Sequence, residues 1–155
     1  MRLILFRHGE AGMAPRDFDR CLTDAGIADV RKVACHIADY LSGAIAYVSP
    51  YIRARQTCTE IQKNAELKSC HELGLITPDE DPVQVLQWLS ENQGASTVLL
   101  VTHQPLVSRL TSLLLDGDET GFYPMATASV TVVQADIWGA GLARLETVIH
   151  ADDLE

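Results

Sequence analysis

Short, uninterrupted hydrophobic runs alternate along the chain with longer segments in which apolar residues recur every three or four positions. The runs lack polar alternation, which is the pattern of strands that are buried on both faces of a parallel sheet. A brief extended segment after the second run predicts one further strand. The predicted strands occupy residues 3–6, 44–49, 70–73 and 96–103.

The segments between the runs carry apolar residues at the spacing of one helical face, which predicts amphipathic helices. Thr23 is a suitable N-cap for the first helix, and Gly43 marks its end. Pro105 is compatible with the first turn of the last helix, where a missing N–H is tolerated. The four predicted helices occupy residues 24–42, 51–65, 82–92 and 105–115.

The C-terminal part of the chain changes to alternating polar and apolar positions. Residues 128–136 and 142–150 have this pattern, which predicts an antiparallel hairpin. Strands that alternate with helices favour an α/β fold with a mostly parallel central sheet, to which the hairpin adds an antiparallel edge. Because no linker, repeat or low-complexity segment interrupts residues 1–155, we expect a single domain.

Composition and charge narrow the classes of partner. Hydrophobic residues make up 47% of the chain and charged residues 21%, as in ordinary globular proteins. The formal net charge of −9 repels nucleic acid and anionic membranes, so we expect neither as a partner. An anionic substrate would therefore need a local cluster of positive charge.

The sequence carries no membrane-spanning or secretory pattern. No apolar run approaches the roughly 18 residues of a spanning helix, and the N-terminal run is too short for a signal peptide. We therefore expect a cytoplasmic protein. The four cysteines are scattered without a Cys-x-x-Cys pair, so we expect free thiols at Cys21, Cys35, Cys58 and Cys70.

Three predicted strands end in residues that suit phosphate chemistry. Arg7 and His8 follow the first strand, Arg53 lies shortly after the second, and His103 follows the fourth. Because ligands of open α/β sheets bind at the carboxyl ends of the strands, we expect these side chains to converge. Guanidinium groups bind phosphoryl oxygens in a forked geometry, and an imidazole can attack phosphorus.

Each of these residues also has a plain structural explanation when it is taken alone. His8 can be a polar residue at a strand end, His103 a residue at the start of a helix, and Arg53 a solvated surface residue. The Arg-His-Gly combination favours function, because a glycine after the histidine lets the backbone approach a ligand closely. No metal-ligand motif is present, so we expect no metal. Three further histidines lie in segments without partner signals: His36, His71 and His150.

Five ordered motifs resemble those of the histidine phosphatase superfamily, whose fold is phosphoglycerate-mutase-like, and in particular its short SixA-type phosphohistidine phosphatases. They are "LFRHGEA", "RCLTDAG", "SPYIRARQT", "VLLVTHQP" and "ATASVTVV", and they extend from Met1 to about Val133. Cys21 stands where proline is common in the second motif. The resemblance implies a three-layer α/β/α architecture and catalysis without a metal or an organic cofactor.

The resemblance also implies a role for each residue that matches a motif. His8 attacks phosphorus and becomes a transient phosphohistidine, while Arg7, Arg53 and His103 surround the phosphoryl oxygens. Arg20 is expected to add a further contact. His8 must then present an unprotonated nitrogen, so its other nitrogen should donate to a carbonyl. His103, which faces an anion, can instead be cationic.

A proton donor is the one part of the superfamily pattern that the sequence does not place. Larger members carry an acidic residue near the middle of the chain, and Glu72 is a possible counterpart. Asp79, Glu80 and Asp81 are others. The surrounding segment resembles the acid-poor region of SixA-type proteins. A phosphoramidate has a reactive P–N bond, for which a dedicated proton donor matters less than for an alkyl phosphate.

Three functions remain open on these grounds. The first is a phosphatase that acts on protein phosphohistidine. The alternatives are a phosphomonoesterase for a small phosphorylated metabolite and a catalytically silent module that binds phosphate or a phosphoprotein. A mutase is disfavoured, because the chain lacks the long helical insertions that cover the site in that branch.

Overall fold

Six strands pair into one mixed sheet in a computed structural model that describes every residue from Met1 to Glu155. The strands are β1 (Arg2–Arg7), β2 (Ile45–Val48), β3 (Ser69–Glu72), β4 (Thr97–Thr102), β5 (Val130–Gln134) and β6 (Arg144–Ile149). The helices are α1 (Asp24–His36), α2 (Ala38–Leu41), α3 (Ile52–Asn64), α4 (Pro82–Glu91) and α5 (Leu106–Asp116). Every helix is too short or too polar to cross a lipid bilayer.

The strand order is β3-β2-β4-β1-β5-β6. The first four strands of this order are parallel, whereas β5 and β6 form the antiparallel edge. This confirms the predicted sheet. In the central β1–β4 pair, Arg7 lies opposite Thr102, so the residues that follow these two strands leave the sheet side by side.

Side chains of the central strands alternate between two apolar layers. Ile4 and Phe6 of β1 pack with α1, α2 and α3, whereas Leu3 and Leu5 pack with α4 and α5. The predicted three-layer α/β/α architecture is therefore confirmed. Because both faces are covered, strands β1 and β4 need apolar residues at every central position, which explains their uninterrupted runs.

The first predicted helix is interrupted. The backbone at Ile37 leaves the helical conformation, with φ −102° and ψ 15°, and separates α1 from the single turn of α2. Ile37 and Leu41 are nevertheless fully buried, so the apolar spacing continues across the break. The spacing alone therefore predicted one helix. Gly43 ends the segment as expected, with a positive φ of 77°.

The C-terminal hairpin has shorter strands than the alternating pattern predicted. The connection between β5 and β6 spans residues 135–143. In this connection Trp138 and Ala143 turn into the apolar layer formed with α4 and α5. Because burial of these two side chains requires residues 135–143 to leave the sheet, β5 and β6 are shorter than predicted.

Candidate active site

The two motif histidines lie next to each other at the carboxyl end of the central strands. His8 follows β1 and His103 follows β4, and their ring centroids are 5.0 Å apart. His8 is 6% exposed and His103 is 1% exposed. The parallel register of β1 and β4 is the cause of this proximity, as the sequence predicted.

Hydrogen bonds fix the tautomer of His8. Its Nδ1 lies 2.7 Å from the Gly9 carbonyl oxygen, which can only accept, so Nδ1 carries the proton. The Arg53 Nε–H donates to His8 Nε2 over 3.2 Å, so Nε2 holds the lone pair. Burial, with Arg53, Arg7 and Arg20 nearby, lowers the pKa of His8 to about 4 despite the opposing Gly9 bond. His8 therefore has the neutral form and the carbonyl partner that the sequence analysis required.

Arg53 lies in the first turn of α3 and is buried, although it is an arginine. Besides its bond to His8, its guanidinium donates from Nη1 to the Asp17 carbonyl over 2.7 Å and from Nη2 to the Asp17 carboxylate over 3.2 Å. Asp17 was not among the predicted site residues. Desolvation opposes its ionisation, but the bonds from Arg20 and Arg53 lower the pKa of Asp17 overall.

Arg20 lies beside the site without contacting either histidine. Its Nη1 donates to the Asp17 carboxylate over 3.2 Å, and its Nε donates to the Gly12 carbonyl over 2.8 Å. Its Nη2 donates to the Ala11 carbonyl over 3.3 Å. Arg20 thus supports the loop that carries Asp17, and through Asp17 it is connected to Arg53.

Arg7 and His103 each keep a buried nitrogen that no protein group satisfies. Arg7 donates from Nη1 to the Met125 carbonyl over 2.7 Å, but its Nε has no partner. His103 Nε2 lies 2.7 Å from the Ser49 hydroxyl, whereas its Nδ1 has no partner. Buried polar groups are rarely left in this state, so both nitrogens are candidates for contact with a ligand.

The charge of His103 in the free protein can be derived from its surroundings, whereas the expected cationic form applies beside a bound anion. Burial above all, together with His8 and Arg53, lowers the pKa of His103 to about 2. His103 is therefore neutral in the free protein, because burial and the neighbouring cations outweigh the opposing effect of the Asp17 carboxylate. The predicted cationic form would require a bound anion that reverses this balance.

Gly9 also packs too closely on α1 to carry a side chain. A Cβ at this position would lie 2.7 Å from Cγ2 of Val30 and 2.9 Å from the carbonyl oxygen of Gly26, both in α1. A Cβ on Gly26 would in turn collide with the Glu10 carbonyl. The glycine after His8 is therefore required by the packing of this segment on α1, and its closer approach to a ligand stays a prediction. Thr57 adds to this support, since its hydroxyl accepts a bond from the Gly9 N–H over 3.1 Å.

None of the candidate proton donors forms a hydrogen bond to either histidine. Glu72 ends the edge strand β3, which is separated from β1 by β2 and β4, and its exposed side chain makes no hydrogen bond. Glu80 accepts a bond from the Thr77 hydroxyl, and Asp81 caps α4 through the Val83 N–H. Asp79 is exposed. A proton-donating role for Glu72 stays a prediction.

The fold is α/β, and two neutral histidines lie beside buried arginine groups at the carboxyl edge of its sheet. Comparison with known proteins gives the same class. The family model "Histidine phosphatase superfamily (branch 1)" matches residues 3–76. Phosphohistidine phosphatase SixA of Escherichia coli (strain K12) is 34% identical over 142 residues, which cover 85% of this chain and 86% of that protein.

Two further relatives extend the comparison. The phosphohistidine phosphatase SixA homolog of Haemophilus influenzae is 29% identical over 143 residues, which cover 84% of this chain and 87% of that protein. A solved structure of the protein histidine phosphatase SixA complexed with tungstate superposes with a TM-score of 0.89 and 28% identity, over 100% of both chains. This chain belongs to the histidine phosphatase superfamily and groups with its SixA-type members.

Proposed function

We propose that this protein is a phosphohistidine phosphatase in which His8 is the nucleophile. The observation that carries the proposal is the tautomer of His8, whose lone pair on Nε2 lies 3.2 Å from the Arg53 guanidinium. A neutral imidazole beside a buried cation can accept a phosphoryl group, because the cation draws the anion to the attacking nitrogen.

The reaction proceeds in two displacements. His8 Nε2 forms a bond to phosphorus while the P–N bond of the substrate breaks, and the departing imidazole takes a proton from solvent. Water then attacks phosphorus, the bond to Nε2 breaks, and inorganic phosphate leaves. The Gly9 carbonyl holds the proton on His8 Nδ1 throughout and stabilises the positive charge that develops on the ring.

The phosphoryl oxygens take up the donors that the free protein leaves unused. These are the buried Nε–H of Arg7 and the buried Nδ1 of His103, which carries the proton when the Ser49 hydroxyl donates to Nε2. Arg53 exchanges its bond to His8 Nε2 for a bond to the phosphoryl group as the substrate enters. The solved SixA complex with tungstate, a tetrahedral oxyanion, supports an anion site in this fold.

Two observations favour a phosphoramidate over an alkyl ester as the substrate. The relatives from Escherichia coli and Haemophilus influenzae bear the name phosphohistidine phosphatase. In addition, no carboxyl group lies within hydrogen-bonding distance of either histidine, and cleavage of a P–N bond depends less on such a donor. We infer that the partner is a protein that carries phosphohistidine.

Single-turnover release of phosphate tests the proposal. A phosphohistidine peptide and p-nitrophenyl phosphate are compared in metal-free buffer, with the wild-type protein and His8→Ala. We expect fast release from the peptide and slow release from the ester. Loss of the nucleophile should slow release from the peptide by about 10³-fold or more. His36→Ala is the matched control, because this exposed histidine on α1 lies outside the site.

Each other outcome contradicts the proposal in a different way. Near-native turnover by a folded His8→Ala variant would exclude His8 as the nucleophile. Preference for the ester would indicate a metabolite phosphomonoesterase and would return attention to Glu72. Binding of phosphate without release from either substrate would indicate a silent binding module.

A further inference from the structure

Two of the four cysteines meet between α3 and the edge strand β3. The Cys58 and Cys70 sulfur atoms are 3.2 Å apart, although twelve positions separate them in sequence. Cys58 is buried in the apolar layer under α3, whereas Cys70 is exposed. The other two cysteines have no sulfur neighbour, since Cys21 lies in an exposed loop and Cys35 contacts Asn64.

We propose that Cys58 and Cys70 are a modification site at which a peroxide forms a reversible intramolecular disulfide. An S–S bond of about 2.05 Å requires the two sulfur atoms to approach by roughly a further 1 Å. Cys70 lies on an edge strand that pairs on one side only, with β2, so this small movement disturbs no second ladder.

The environments of the two sulfurs set the order of the steps. Cys70 is exposed and meets the oxidant first. Burial and the adjacent sulfur raise the pKa of the Cys58 thiol, which keeps its proton and points at Cys70. Oxidation of an accessible cysteine beside a resolving thiol is the usual route to a protein disulfide.

The chemistry balances with peroxide as the two-electron oxidant. The Cys70 sulfur attacks a peroxide oxygen, the O–O bond breaks, and water and a sulfenic acid are formed. The Cys58 sulfur then attacks the Cys70 sulfur, the S–O bond breaks, and a second water leaves with the Cys58 proton. Two thiols and one hydrogen peroxide thus give one disulfide and two waters, and a dithiol reductant reverses the change.

The cross-link has a structural consequence that can be measured. It joins α3 to β3 across the 58–70 segment and reduces the freedom of the unfolded chain. The oxidised protein should therefore unfold at a higher temperature than the reduced protein. Cys58 follows Thr57, whose hydroxyl accepts a hydrogen bond from the Gly9 N–H. The disulfide would therefore restrain α3, the helix that also carries Arg53.

Peroxide titration of the reduced protein, followed by intact mass and tryptic mapping, tests this inference. Cleavage after Lys63 and Lys68 places Cys58 and Cys70 on separate peptides. We expect a loss of about 2 Da and a peptide pair joined through these two cysteines. Dithiothreitol should restore the reduced mass, and oxidation should raise Tm by several degrees.

Matched variants isolate the pair. A Cys21→Ser, Cys35→Ser double variant should still form the cross-link, whereas Cys58→Ser and Cys70→Ser should lose both the cross-link and the rise in Tm. Oxidation of Cys70 to sulfinic acid without a cross-link, or a disulfide to Cys21 or Cys35, would overturn the proposal. The readout does not involve phosphate release, so its failure would leave the proposed hydrolysis by His8 unaffected.

Discussion

Asp17 connects the loop before α1 to the site, because it binds the guanidinium group of Arg53. Its carboxylate lies between Arg20 and Arg53, and Arg53 directs its remaining Nε–H at the nitrogen of His8 that carries the lone pair. The side chain of Asp17 is 54% exposed, so its ion pair with Arg53 stabilises the fold only slightly. Its contribution is the orientation of a guanidinium group.

We predict that Asp17→Asn lowers kcat on a phosphohistidine peptide on the order of 10- to 100-fold, because a misdirected Arg53 no longer aligns the phosphoryl group with His8. KM should not rise, since the substitution also removes a negative charge that opposes the substrate. Steady-state kinetics measures kcat and KM separately and so tests both expectations. Asp19→Asn is the control, because Asp19 pairs with the exposed Arg16. An unchanged kcat in Asp17→Asn would show that Arg53 is positioned by other contacts.

For single residues, the sequence allowed prediction of the site residues that directly follow strands. It did not allow prediction of Asp17, which follows no strand. Arg7, His8 and His103 stand at the ends of apolar runs, so their positions follow from strand prediction. Asp17 lies in a segment rich in Gly, Pro and Asp, where no periodicity indicates which side chain contacts the site. Its partner Arg53 is 36 positions away, and only the folded loop brings the two together.

At the scale of elements, the contact between the β1–α1 connection and α1 holds His8 in place. Gly26 in α1 has no room for a side chain, because its Cβ would meet the Glu10 backbone. Alanine would otherwise favour a helix by about 1 kcal/mol relative to glycine. A collision with backbone costs about 1–3 kcal/mol or more, since backbone cannot yield as a flexible side chain can.

We therefore predict that Gly26→Ala destabilises the protein and slows turnover together, because the His8–Glu10 segment is pushed away from α1. Urea denaturation and single-turnover release measure the two effects. Gly94→Ala is the matched control, because a Cβ there meets nothing within 4 Å and should change the free energy of unfolding by at most about 0.5 kcal/mol. Equal behaviour of the two variants would contradict this account of the packing.

The elements themselves were predictable where burial imposes a simple pattern. Strands β1 and β4 are covered on both faces, so every central position is apolar and the pattern is unambiguous. The break at Ile37 was not predictable, because burial of Ile37 and Leu41 satisfies the same spacing with or without a continuous helix. Local backbone conformation is then decided by packing, which a single sequence does not display.

At the scale of the whole molecule, a net charge of −9 coexists with a cationic site that holds two buried neutral histidines. The folded pKa values are about 4 for His8 and about 2 for His103, against about 6.5 in an unfolded chain. Below pH 6.5 the unfolded state therefore binds more protons than the folded state. Stability should fall as the pH decreases from about 6.5 to 4, by up to about 1.4 kcal/mol per pH unit for each imidazole.

The carboxylates change the stability in the same direction as the histidines, but in a lower pH window. Hydrogen bonds from Lys63 and Arg31 lower the pKa of Glu60, and Arg2 lowers that of Glu146. Their stabilisation is present above the unfolded pKa of about 4.3 and is lost as the pH falls below it. Between pH 6.5 and 4.5 the slope consequently reports mainly on the histidines.

Urea denaturation from pH 7 to 4.5 separates the histidine contribution. We predict that the wild-type free energy of unfolding falls across this range and that His103→Asn has a shallower slope. The variant lacks one imidazole that is protonated in the unfolded chain but stays neutral in the fold. Slopes are compared instead of absolute stabilities, since the substitution also changes packing. Tungstate should reduce the wild-type loss, because an anion beside His103 favours its cationic form and raises its pKa in the folded state. The exposed His36→Asn is the control, and a slope of His103→Asn equal to that of the wild type would mean that His103 does not govern acid stability.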